Sequence, residues 1–122
     1  MLKIGLVAGT FFAGLSIILG AFGAHALKDQ LSEYSISIYE KAVLYQMFHA
    51  LGILLLALIG QTVQNIDVSL SIWFFVLGIV FFSGSLYVLA VTNMKWLGMI
   101  TPIGGTFFIA GWTILLYRTL NI

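Results

Sequence analysis

The side chains able to do chemistry are few. His25, Tyr45, Gln46, His49 and Tyr87 are the strong polar groups that fall within long apolar stretches. Such residues are functional-site candidates by default, because holding a polar or ionisable group in hydrocarbon is costly. Ala42, Tyr45, Gln46, His49 and Gly52 recur every three or four residues, so on a helix they share one narrow polar face. If the helix that ends at His25 packs antiparallel on this one, His25 comes near the Tyr45 to His49 turn. The two imidazoles would then line a cleft for a small polar or amphipathic ligand, or serve as axial ligands to haem. The structural alternative stands beside this. Imidazole and amide groups also join helices by hydrogen bonds worth about 0.6 kcal/mol on average and up to about 2 kcal/mol. A second candidate is Thr101-Pro102-Ile103-Gly104-Gly105. With Thr101 as N-cap and Pro102 as first helical residue, a helix N-terminus facing a cavity would bind an anion. The same residues also suit an ordinary helix start, or a helix from near Gly98 that kinks at Pro102.

Other chemistries lack their groups. A proton-coupled exporter needs a carboxylate within the bilayer, and Asp29, Glu33, Glu40 and Asp67 all lie outside the apolar runs. There is no Gly-x-Ser-x-Gly, phosphate loop or dinucleotide fingerprint, and the aspartates fall in loops, so no catalytic residue set is read. Zero cysteines remove thiolate metal sites and thiol nucleophiles. Two histidines without carboxylate company at ligand spacing define no metal centre, and no cofactor is expected. A net charge of +1 with no basic run argues against nucleic acid as a partner.

The elements that must position these residues follow from the charges. Of 122 residues 61% are hydrophobic and 7% charged, whereas a soluble domain carries roughly 25% charged residues. Ile4 to Ala24, Ala42 to Ile66, Val68 to Met94 and Trp96 to Tyr117 contain no charged side chain. Each exceeds the length of about 18 residues that a spanning helix requires, and unbroken apolar runs cannot be barrel strands. The expected fold is an all-α, four-helix transmembrane bundle forming one domain over residues 1–122, with helices at about 3–25, 41–60, 70–92 and 98–119. The polar block Lys28 to Lys41 holds more than half of the charge. Leu31, Tyr34, Ile38 and Tyr39 can share a helical face there, which predicts a short amphipathic interfacial helix between helices 1 and 2.

The first run resembles a secretory signal around Ala24-His25-Ala26. It is longer than an h-region, however, and carries Gly5, Gly9, Ala13, Ser16, Gly20 and Ala24 along one face, so we read it as a retained helix. Ser71, Gly78, Ser85 and Thr92 make a second stripe at seven-residue intervals. Small residues allow close helix approach where no hydrophobic effect draws helices together. The seams are therefore expected to pack helices within the chain, or against a second copy or another membrane protein. Trp73, Trp96 and Tyr117 near helix ends fit an aromatic belt. Lys3 and Arg118 fall on one side of the membrane, with Lys28, Lys41 and Lys95 on the other, and so small a difference gives no orientation.

Four separated blocks carry a resemblance. Gly20-Ala21-Phe22-Gly23-Ala24-His25-Ala26-Leu27, then Tyr45-Gln46 with His49-Ala50, then Gly84-Ser85-Leu86-Tyr87, then Thr101-Pro102-Ile103-Gly104-Gly105 with Gly111-Trp112 occur in the order seen in the family called domain of unknown function 423, which the chain resembles from helix 1 to helix 4. The resemblance implies a four-helix integral protein of the bacterial inner or plasma membrane and no transferable activity. The expected function is that of an accessory or helix-packing membrane protein in contact with the lipid bilayer. The alternative is a ligand-binding or conducting protein that uses the His25 and His49 cleft.

Overall fold

An apolar chain with few side-chain partners in lipid must satisfy its backbone internally, and helices do so. The computed structural model, which describes residues 1–122, contains four: α1 (Leu2–Leu27), α2 (Glu33–Thr62), α3 (Ser69–Thr92) and α4 (Thr101–Leu120). There are no strands. All four spans are long and apolar enough to cross a bilayer. The exposed surface is rich in large apolar residues such as Phe11, Ile18, Phe48, Leu55 and Ile109, while Ser16, Gln46, His49, Ser71, Ser83 and Ser85 are buried. That distribution suits hydrocarbon as solvent.

The helices form two antiparallel hairpins. α1 packs almost wholly on α2, and α4 on α3, with α2 and α3 as the central pair. Close approach is made through glycine where the sequence predicts it. A Cβ at Gly5 would meet Ala57, and one at Gly9 would meet Leu54 and the Ala50 carbonyl. At Gly78 it would strike the Phe108 ring, and at Gly104 the backbone of Phe81 and Phe82. The stripe on α1 ends on buried Gly23 in place of Ala24, which is exposed. Ser16, Gly20, Gly23 and Leu27 keep ordinary helical steps of three and four, and a π-helical turn, Gly23–Leu27, closes α1. On α3, Ser71, Gly78 and Ser85 face α4, whereas Thr92 is exposed and bonds back to the Val88 carbonyl. Most of both seams is thus used to pack helices within the chain, with Ala24 and Thr92 left on the outside.

Two boundaries differ from expectation. The polar block between the first two helices is helical, but it forms the first turns of α2 and not a separate interfacial element. Ser32 caps that helix by accepting the Ser35 N–H at 3.1 Å. From there Ser35, Ile38, Tyr39 and Ala42 continue the buried stripe of α2 without a break, so nothing divides the segment. Tyr34, expected on the apolar face, is exposed. At the other link, α3 stops at Asn93, whose φ of 57° is the left-handed C-terminal cap that Asn tolerates. A 3₁₀ turn, Lys95–Met99, follows, anchored by buried Leu97. α4 then starts at Thr101 with Ile100 as N-cap and Pro102 in the first turn, so Thr101 does not cap. Its hydroxyl instead lies 2.6 Å from that of Ser85.

The core has two apolar layers. Ile53, Leu56, Val68, Ile72, Phe75, Ile79 and Phe108 pack at the end that holds the chain termini. Leu27, Ile38, Tyr39, Ala42, Leu86 and Ala90 pack at the opposite end. In that first end Asp67 accepts the Ser69 N–H at 3.0 Å. This bond holds the carboxyl below the usual carboxylate range and gives the first N–H of α3 a partner.

Candidate functional site

Between the two apolar layers lies a polar one. Gln46 and His49 lie near the midpoint of α2, level with Phe12 of α1 and Trp112 of α4.

Gln46 is 1% exposed and links three helices. Its Nε2 donates to the Phe12 carbonyl on α1 at 2.9 Å, and its Oε1 accepts the Tyr87 hydroxyl of α3 at 2.6 Å. The Tyr87 ring meets Tyr39 edge-on, and Tyr39 in turn donates to the Leu19 carbonyl at 2.6 Å. Ser83 adds a bond from α3 to the Ala42 carbonyl at 2.7 Å, and Ser71 one to Gly111 at 2.9 Å.

His49 has both ring nitrogens engaged. Nδ1 lies 2.8 Å from the Tyr45 carbonyl, one turn back on α2, and Nε2 lies 3.0 Å from Nε1 of Trp112. An indole N–H can only donate. Nε2 is therefore the acceptor, and Nδ1 carries the proton that it donates to the Tyr45 carbonyl. The imidazole is neutral and in one tautomer. A second proton on Nε2 would face the indole N–H. Phe108 stacks on the ring with centroids 3.6 Å apart, and Phe75 meets it edge-on at 5.0 Å. No lone pair is left for a metal or haem iron.

The sequence-derived candidates separate in space. Gln46 and His49 join the network. The Tyr45 ring is half-exposed and stacks on Phe82, contributing its carbonyl and not its phenol to His49. His25 is exposed on the π-helical turn and lies outside the cluster. Gly23 packs on the Tyr39 ring, so His25 is level with the start of α2. Tyr39 and His49 are about ten residues apart, roughly 15 Å at 1.5 Å per residue. The five principal cavities are lined by neither histidine. At the second candidate, Gly104 is pressed against the α3 backbone and Gly105 lies over the Phe82 ring. The N-terminus of α4 faces protein and not a cavity. Sequence reasoning missed Trp112, Phe108 and Ser83. Trp112 carries a readable signal: an indole in the middle of an apolar run, away from the interface, needs an acceptor for its N–H.

The family described as "Protein of unknown function (DUF423)" matches residues 19–105. A UPF0382 membrane protein of Staphylococcus epidermidis strain ATCC 12228 is 50% identical over 120 residues, covering 98% of each chain. The UPF0382 membrane protein YwdK of Bacillus subtilis is 40% identical over 112 residues, covering 91% of each. No solved structure matches the chain. Four apolar spans and relatives named as bacterial membrane proteins identify a multi-pass protein of the cell membrane. With matched residues running from the end of α1 to the start of α4, the chain belongs to the DUF423 family of unknown function.

Proposed function

We propose that the chain works as an accessory membrane protein, binding other membrane helices or a second copy of itself through the outer faces of its bundle. One observation carries this reading: every buried side-chain nitrogen and oxygen already has a hydrogen-bond partner. A site built for ligand or catalysis usually holds some polar capacity open for it. Here the interior closes on itself, which suits a structural lock and leaves the outer surface as the working one. On that surface Gly14 of α1 is open, with no atom within 4 Å of a Cβ placed there. A helix approaching at this point could come close to the α1 backbone.

The chain has no cysteine, so single cysteines report cleanly. Substitutions of Gly14, Leu55 and Ile109 by Cys sample the lipid-facing sides of α1, α2 and α4. Oxidative or bifunctional cross-linking in native membranes should give one discrete adduct from one face, with Gly14→Cys the favoured position. Absence of any discrete adduct from all three faces would overturn the proposal.

A further inference from the structure

The largest cavity touches the polar network only at Tyr39 and lies on the outer side of the α1 and α2 hairpin. Its volume is about 600 Å³, within the range of roughly 300 to 1,000 Å³ typical of ligand pockets. It exists because α1 presents Ser16, Gly20 and Ala24 where α2 presents Val43, Leu44 and Met47. Along α2 it runs from Met47 to Ile36, about 16 Å at 1.5 Å per residue. That is the depth of one leaflet, half of a hydrocarbon core about 30 Å thick. Glu40 lines it about one helical turn inward of Ile36. Ile36 and Glu40 are shared with a second pocket lined also by Lys28, Glu33 and Ser37. A slot whose apolar part, Met47 to Glu40, is about 10 Å long thus leads to a mouth lined by one ammonium and two carboxylates.

We propose that the groove and its polar mouth form a binding site for one phospholipid whose headgroup carries a primary ammonium beside its phosphate. One acyl chain lies in the slot against Gly20, Ala24 and Val43. The phosphate meets Lys28, and the headgroup ammonium donates to Glu33 and Glu40. Charge complementarity selects this occupant. An anionic headgroup without the ammonium would face two carboxylates unpaired, and a trimethylated headgroup has no N–H to donate. The site is distinct from the outer face around Gly14, and it does not depend on the accessory reading.

The test is native mass spectrometry of the detergent-solubilised full chain titrated with dioleoyl phosphatidylethanolamine, phosphatidylglycerol or phosphatidylcholine. Wild type should retain one phosphatidylethanolamine roughly tenfold more tightly than either of the others, the effect expected of a charge-assisted hydrogen bond. Ala24→Phe, at an exposed position that leaves the core untouched, fills the slot and should weaken retention of that lipid to a similar degree. The double variant Glu33→Gln with Glu40→Gln should keep lipid binding and lose the preference over phosphatidylcholine. Gly14→Leu should bind as wild type does, and melting temperatures identify any variant that has lost its fold. Equal retention of the three lipids by wild type would overturn the proposal, as would undiminished phosphatidylethanolamine binding by folded Ala24→Phe.

Discussion

At the scale of single residues, His49 shows how context decides what a histidine is for. An imidazole in an apolar run invites a functional reading, yet here its two nitrogens are assigned by an acceptor that cannot donate and a donor that cannot accept. The pair with Trp112 is the only hydrogen bond between side chains of α2 and α4, and its worth can be isolated. A double-mutant cycle of His49→Phe and Trp112→Phe, read by thermal unfolding in detergent, should give a coupling of roughly 0.6 to 2 kcal/mol. Either single variant should melt below wild type, because it leaves one partner, the buried His49 ring or the lipid-facing Trp112 indole, without its hydrogen bond. A coupling near zero would show that packing against Phe75, and not this bond, holds the indole. Gln46 and His49 were legible in the sequence as one helical face. His25 was misplaced, because helix periodicity fixes which residues share a face and says nothing of how far one helix slides along its neighbour. That offset is set by Gly23 on Tyr39 and Gly5 on Ala57, pairs that only packing reveals.

Among the elements, the glycines divide into those that hold helices together and those that face outward. Gly104 meets the backbone of α3, and backbone cannot rotate away as a side chain can. Gly104→Ala should therefore cost stability by overpacking, about 1 to 3 kcal/mol. Gly14→Ala should be neutral, or stabilising by up to about 1 kcal/mol through helix propensity. Comparison of the two melting temperatures in detergent tests the assignment, and equal shifts would contradict it. The seams were legible because small residues at intervals of three, four or seven have few other uses. Their interruptions were not. Both π-helical turns, Gly23–Leu27 and Ile79–Ser83, lie in segments whose composition matches the α-helix around them. A wider turn leaves no mark in hydropathy, and spacing does not choose between Gly23 and Ala24 because steps of three and four from Gly20 both keep to one helical face. The start of α4 was legible from Pro102, whereas Thr101 was assigned as a cap because its partner Ser85 belongs to another helix.

For the whole molecule, the four spans and their approximate limits were plain from charge spacing alone, since nine charged residues leave little choice of where the chain can meet water. Orientation was not, and the structure explains the balance. Lys3 and Arg118 lie at the end holding the termini and the link between α2 and α3, and Lys28, Lys41 and Lys95 at the other. Orientation follows the cationic side. Substituting Lys28 and Lys95 by Gln should therefore move the terminal end toward the cytoplasm, as read by activity of a C-terminal reporter fusion. An unchanged reporter signal would mean that some other feature directs insertion.

The wiring of the polar layer also bears on how the protein is made. Membrane helices are released in order, and each must remain in lipid until its neighbours arrive. α2 brings an amide and an imidazole, but the Phe12 carbonyl that takes the Gln46 amide has already been synthesised, and the Tyr45 carbonyl that takes His49 lies on the same helix. Tyr87 and Trp112, which complete the two groups, emerge later and bring hydrogens to donate. The groups that need acceptors thus find them at once, while the late arrivals supply donors. The nascent chain has an acceptor for the ring hydrogen of His49 and for one of the two amide hydrogens of Gln46 while it waits for the rest of itself.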